Sequence, residues 1–210
     1  VREQSVVCFN HLVQHLPKAT DSSNPNTQTL MSMAKRLVSA DWFTAKVSVA
    51  GMLPSLHRWT QHSEISYLYK ELCLDETPMV RRAASTHLGP LLQSLTESSS
   101  QAPSSQELIP VLQQLCQDEQ DSVRMLAVAT LAKCGTAFGQ DTEFTKSTFL
   151  PILKEGSTDM SWRVRHNLAK HFSDAAINLG LQKKAAQYTS EMSLVMACFV
   201  SLLADAEAEV

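Results

Sequence analysis

The chain has 210 residues, 44% of them hydrophobic and 19% charged, with a formal net charge of −3. That is enough apolar material for a long core, and too little net charge to draw the chain to nucleic acid or an anionic membrane surface. No run approaches the roughly 18 apolar residues that a membrane span needs.

Apolar residues recur with helical period along the chain, and no segment alternates at period two for long enough to make a strand. In chain order the pattern predicts helices over 1–16, 27–39, 43–58, 62–74, 78–95, 105–117, 121–138, 145–156, 161–179 and 182–203. The polar stretches Thr20–Asn26 and Ser98–Ser105 read as exposed loops. Pro54 falls inside its helix and is expected to kink it. Pro110 and Pro151 fall early in theirs, where proline is tolerated.

One pair shows the logic. Ile109, Leu112, Leu115 and Cys116 form one apolar stripe. A turn follows, in which Asp121 or Ser122 is placed to cap the next helix. Val123, Leu126, Ala127, Thr130, Leu131 and Cys134 then form a second stripe, closed by Gly135 and Gly139. Neither helix could bury its stripe alone, so each pair must stack on its neighbours.

The turns repeat. DETPMVR spans Asp75 to Arg81, DEQDSVR spans Asp118 to Arg124, and DMSWRVR spans Asp159 to Arg165. DAEAEV from Asp205 to Val210 is a fourth copy that lacks its basic end, and DWFTAK from Asp41 to Lys46 is a looser one. Val1-Arg2 reads as the tail of an earlier copy. Recurrence at roughly 42 residues with variable loops is the mark of a helical-pair repeat array. The expected fold is all-α, an armadillo-like α-α superhelix. Its units fall at 1–20 (second helix only), 27–60, 61–97, 104–140, 143–180 and 181–210, in a single repeat array. Beginning and ending in the same phase, without an initiator Met or a signal peptide, the chain reads as an internal piece of something longer.

Two turn features stand out. Trp42 and Trp162 sit at turn tips among polar and charged residues, where a core tryptophan is not expected. Arg81, Arg124 and Arg165 keep a strict phase, which reads as a ladder in which each guanidinium pairs with an acid of the adjacent turn. Lys46 cannot imitate that planar fork. Arg82 and Arg163 are out of phase and free to reach a partner. Asp75, Asp118 and Asp159 read as turn-formers, whereas Glu76, Glu119 and Asp121 have more freedom to face outward.

Catalytic and metal chemistry has little to build from. His11 and His15 share a helix face at i, i+4, but no third ligand and no HExxH motif accompany them. No His is followed by Glu, so the His-Glu dipeptides on successive helices that hold iron in some helical-repeat enzymes are missing. There is no glycine-rich phosphate loop and no nucleophile elbow. The five cysteines form no C-x-x-C pair and read mostly as reduced, small hydrophobes. No enzyme activity, metal or cofactor is expected.

The segments Arg36–Gly51, Leu72–Ser85, Asp118–Val128 and Ser161–Phe172 resemble HEAT repeats. More narrowly, DWFT, DETPMVRRAA, DEQDSVR and SWRVR resemble the N-terminal to middle repeats of the scaffold (A) subunits of protein phosphatase 2A. The resemblance covers essentially the whole chain. It implies a non-enzymatic platform on whose intra-repeat turns regulatory (B-type) subunits dock. The catalytic subunit would dock on C-terminal repeats outside this stretch. Carried onto this sequence, the implied docking residues are Trp42, Phe43, Glu76, Thr77, Pro78, Met79 and Arg82. Further along they are Asp118, Glu119, Asp121, Ser122, Asp159, Ser161, Trp162 and Arg163. Lys46 in place of Arg departs from the pattern. The implied location is the cytoplasm, with the nucleus as a second compartment, and neither nucleic acid nor membrane is an expected partner. Another HEAT-type carrier, such as an importin-β-like nuclear-transport receptor, is the alternative reading.

Overall fold

A computed structural model describes residues 2–19, 24–98, 107–134, 144–178 and 189–210. Among these residues every regular element is a helix. The chain packs as two compact units, Val1–Val111 and Leu112–Val210.

The first unit holds α1 (Arg2–His15), α2 (Pro25–Val38), α3 (Phe43–Thr60), α4 (Glu64–Cys73) and α5 (Pro78–Ser98). Proline opens both α2 and α5, where its missing N–H would have had no intrahelical partner. Asn24 caps α2 by accepting the Asn26 N–H at 2.9 Å. Helices α1, α3 and α5 pack one on the next, while α2 and α4 cover α3 and α5. Val49, Leu53 and Leu56 of α3, Ile65, Tyr69 and Leu72 of α4, and Val80, Leu88 and Leu91 of α5 are buried. Each such aliphatic side chain contributes about 1.5–3 kcal/mol relative to exposure. Two of the large polar-tipped side chains in this core are hydrogen-bonded. Tyr69 donates its hydroxyl to the Ala84 carbonyl at 2.7 Å, and Trp59 Nε1 donates to the Pro17 carbonyl at 2.7 Å. Pro54 does not end α3, which runs unbroken to Thr60. Asn10 Nδ2 donates to the Gly51 carbonyl at 3.0 Å, in the turn that precedes that proline.

Helix α6 (Ile109–Cys116) spans the residue at which the division falls. The second unit then holds α7 (Asp121–Cys134), a π-helical turn Thr145–Phe149 running into α8 (Leu150–Ser157), α9 (Trp162–Lys170), α10 (Phe172–Asn178) and α11 (Thr189–Leu203). Helix α7 packs against α9 and α10, and α8 against α11. Leu112, Leu115, Val123, Ala127, Ile152, Leu153, Val164 and Leu168 are buried here.

The single helix expected over 161–179 is two. At His171 the backbone leaves the helical region (φ −109°, ψ 13°), and its N–H bonds back to Leu168 rather than one residue further. Gly135 and Gly139, the loop over 99–105 and the start of the helix expected at 182 lie outside the described residues. Cys73, Cys116 and Cys198 are buried, but Cys8 is exposed, unlike the core role expected of most cysteines. Burial pushes the thiols of Cys73 and Cys116 well above the usual range, so both are inert.

Candidate protein-docking edge

Four of the cassettes build the same turn. In each, the aspartate accepts the N–H of the second residue onward through Oδ1: Thr77 at 2.8 Å, Gln120 at 2.9 Å, Ser161 at 2.8 Å and Glu207 at 2.9 Å. This local bond closes the chain between helices, a habit of Asp wherever the backbone must reverse. The cassette arginine then reaches back from the following helix. Arg81 Nη1 donates to the Asp75 and Glu76 carbonyls at 2.9 and 3.0 Å. Arg124 Nη1 reaches the Asp118 and Glu119 carbonyls, and Arg165 Nη1 those of Asp159 and Met160. One guanidinium nitrogen is thus used to close its own turn.

For Arg124 and Arg165 the rest of the guanidinium crosses to the next turn. In the second unit Arg124 forks onto Asp159, Nε to Oδ2 at 2.8 Å and Nη2 to Oδ1 at 2.9 Å. Arg165 does the same to Asp205, at 2.6 and 3.0 Å. In the first unit Lys46 makes one bond, Nζ to Asp75 Oδ2 at 2.6 Å. Partial burial raises the pKa of Asp75 and Asp159, but the hydrogen bonds and the neighbouring cation outweigh it and hold both below the ordinary carboxylate value. At Asp205 the Arg165 hydrogen bond leads in the same direction.

The aspartates are therefore more than turn-formers. Asp159, expected on the docking edge, gives its carboxylate to Arg124 and to the Ser161 N–H. Asp121, expected to face outward, accepts the Ser161 hydroxyl at 2.9 Å and lies 3.6 Å from Arg163 Nη1. Arg163, expected to be free, is engaged twice: its guanidinium carbon also stands 5.7 Å from the Trp162 ring centroid.

Apolar side chains stand out of the turns. In the first unit Trp42 is 76% exposed at the N-cap of α3, with Phe43 exposed after it. Met79 is exposed in the first turn of α5, as are Glu76 and Arg82, while Thr77 and Pro78 are half-buried. In the second unit Trp162 is 38% exposed and Met160 91%. Glu119 is exposed, and Asp118 and Ser122 are half-buried. Trp59 shows the contrast: it is buried with its N–H satisfied. Met160 was absent from the sequence-based candidates, although its place between Asp159 and Ser161 in the turn could have marked it.

No catalytic arrangement accompanies this edge among the described residues. His57 Nδ1 lies 2.7 Å from Ser94 Oγ, but both are buried, and desolvation, aided by the Arg58 charge, lowers His57 to about 4. The His11 and His15 rings are 4.6 Å apart on α1. Among the described residues no three His, Cys, Asp or Glu side chains converge as metal ligands, and no helix is long and apolar enough to cross a membrane.

The HEAT repeat family model matches residues 108–138, the α6–α7 pair and its turn. Three curated relatives are similar over much of the chain. The regulatory A-type subunit of protein phosphatase PP2A from Saccharomyces cerevisiae is 31% identical over 84% of this chain and 28% of its own length. That of Schizosaccharomyces pombe is 29% identical over 73% of this chain and 26% of its own. A probable serine/threonine-protein phosphatase PP2A regulatory subunit of Caenorhabditis elegans is 33% identical over 63% of this chain and 23% of its own. The chain thus spans about a quarter of the length of these relatives.

Proposed function

We propose that this chain, which belongs to the HEAT-repeat proteins and is related to the regulatory A-type subunits of protein phosphatase 2A, is part of a non-catalytic scaffold of such a phosphatase. Its turns dock a regulatory (B-type) subunit, and the catalytic subunit binds repeats outside this stretch. The scaffold works in the cytoplasm and in the nucleus.

The observation that carries this reading is the set of large apolar side chains held out at helix-helix turns: Trp42, Phe43 and Met79 in the first unit, Met160 and Trp162 in the second. Exposed tryptophan beside arginine is the composition of interface hot spots. Beneath Met160 and Trp162 the Arg124–Asp159 bonds fix the turn, so little order remains to be imposed there on binding.

The test is binding of a purified regulatory subunit to Trp42→Ala and Trp162→Ala. Each is expected to lose about 2 kcal/mol of affinity with far-UV helicity unchanged. Unaltered affinity in both variants removes the tryptophans from the interface. Recovery of transport factors from extract, without phosphatase subunits, would favour a nuclear-transport carrier instead.

A further inference from the structure

Thr77 and Pro78 form the one Ser/Thr-Pro dipeptide in the sequence. They stand in the turn between α4 and α5, with Glu76, Met79 and Arg82 exposed around them. The Thr77 hydroxyl donates to the Asp75 carboxylate, which also receives the Thr77 N–H and the Lys46 ammonium. We propose that Thr77 is a phosphorylation site for a proline-directed protein kinase, and that its phosphate competes with Asp75 for Lys46.

The local backbone lends itself to a kinase cleft, which takes its substrate extended. The Thr77 carbonyl accepts the Val80 and Arg81 N–H groups at 2.9 and 3.2 Å. Pro78 has no N–H to orphan, so opening the first turn of α5 breaks these two backbone bonds together with the side-chain bonds that Thr77 and Arg81 make to Asp75 and Glu76. Exposed terminal turns are where helices open first.

Charge provides the second argument. A phosphothreonine carries a charge of about −1.5 to −2 and three strong acceptor oxygens. It would arrive at the start of α5, where the helix dipole favours an anion, and beside Lys46. In the equivalent second-unit turns the cation is an arginine bonded to both carboxylate oxygens. Lys46 is instead a point charge on a flexible stem with one bond to its acid, so it can change partners without dismantling a fork. The hydroxyl that can be modified thus stands at the ion pair most easily exchanged.

In the transfer, Thr77 Oγ1 attacks the γ-phosphorus of ATP. The bond from that phosphorus to the β,γ-bridging oxygen breaks, ADP leaves, and the hydroxyl proton passes to the kinase's base. No phosphatase subunit takes part, so this site stands or falls independently of the docking assignment.

The 210-residue chain is incubated with a purified kinase of the cyclin-dependent or mitogen-activated class and Mg-ATP, and the product is mapped by mass spectrometry. The expected result is a single phosphate on Thr77, absent from Thr77→Ala and retained on Thr77→Ser. No incorporation, or incorporation that persists in Thr77→Ala, overturns the site. A 31P titration reads the competition. The second ionisation of the phosphate, ordinarily near about 6, is expected to fall in the parent chain and to fall less in Lys46→Met. Identical titrations in the two chains refute the contact with Lys46.

Discussion

Arg124 and Asp159 are joined by two parallel charge-assisted hydrogen bonds, while a third nitrogen of the same guanidinium closes the turn it came from. One side chain thus fixes both a turn and the spacing to the next. Arg124→Ala removes these bonds and leaves a largely covered carboxylate without its cation. Because hydrogen bonds to charged groups contribute about 1.5–3 kcal/mol, the second unit is expected to lose about 2 kcal/mol. Arg124→Lys should fall between the two, since an ammonium cannot bond both oxygens and the carbonyls at once. Urea unfolding followed by hydrogen exchange at residues 159–170 checks this. Equal stability of Arg124→Lys and the parent would show that the fork adds nothing.

Acid should weaken the first unit through His57. The unfolded imidazole takes up its proton near 6.5, but the folded one does so only at about 4. Between those values the unfolded state binds more protons, so stability rises with pH across the window. It is fully present above 6.5 and lost as pH falls through 4, by about 3 kcal/mol at most. Burial also lowers His87, which adds a smaller slope of the same sign. Denaturation midpoints measured from pH 7 to 4 should fall, and His57→Gln should flatten most of the decline. An unchanged slope in that variant would assign the acid sensitivity elsewhere.

Which parts of this architecture were readable in advance follows from the range of each interaction. Helix positions were legible because a single amphipathic stripe repeats every few residues, as in the α6–α7 pair. The break at His171 was not, since Leu168 and Phe172 continue the apolar spacing across it. The phase of Arg124 and Arg165 pointed to pairing between turns. Their second use, closing their own turns through backbone carbonyls, leaves no trace in residue identity. The pairing of Asp121 with Ser161 and Arg163 was missed because it joins two separate turns, and neither partner looks committed in its own cassette.

Close packing in the second unit can be probed at Gly156. A Cβ there would lie 3.3 Å from Leu168 Cδ2 and 3.3 Å from Val128 Cγ1, so α9 and α7 both approach α8 at this point. Alanine gains up to about 1 kcal/mol in helix propensity. Against that, overpacking a close-packed core costs about 1–3 kcal/mol. Both neighbours are buried and Val128 is β-branched and stiff at χ1, so the overpacking is expected to win. Gly156→Ala should therefore lower stability by about 1 kcal/mol, and Gly156→Val by more. A more stable alanine variant would mean that the two side chains yield freely.

The last prediction concerns how Trp162 is held. Asp121 is the anchor: it takes the Ser161 hydroxyl and attracts Arg163, and Arg163 leans over the Trp162 ring. His166 meets the same ring edge-on, with centroids 6.2 Å apart. Arg163 is 60% exposed, so its ion pair adds at most about 1 kcal/mol to stability, and Asp121→Ala should barely move the unfolding midpoint. The orientation of the indole should change nonetheless, because the cation that limits its rotation loses its own restraint. With 5-fluorotryptophan incorporated, and the Trp162 signal assigned by its loss in Trp162→Phe, the 19F line is expected to shift and narrow in Asp121→Ala. Arg163→Ala should move it the same way, and added salt should reproduce part of the effect by screening the pair. A line that moves in Arg163→Ala but stays put in Asp121→Ala would show that the arginine holds the ring without help from the neighbouring turn.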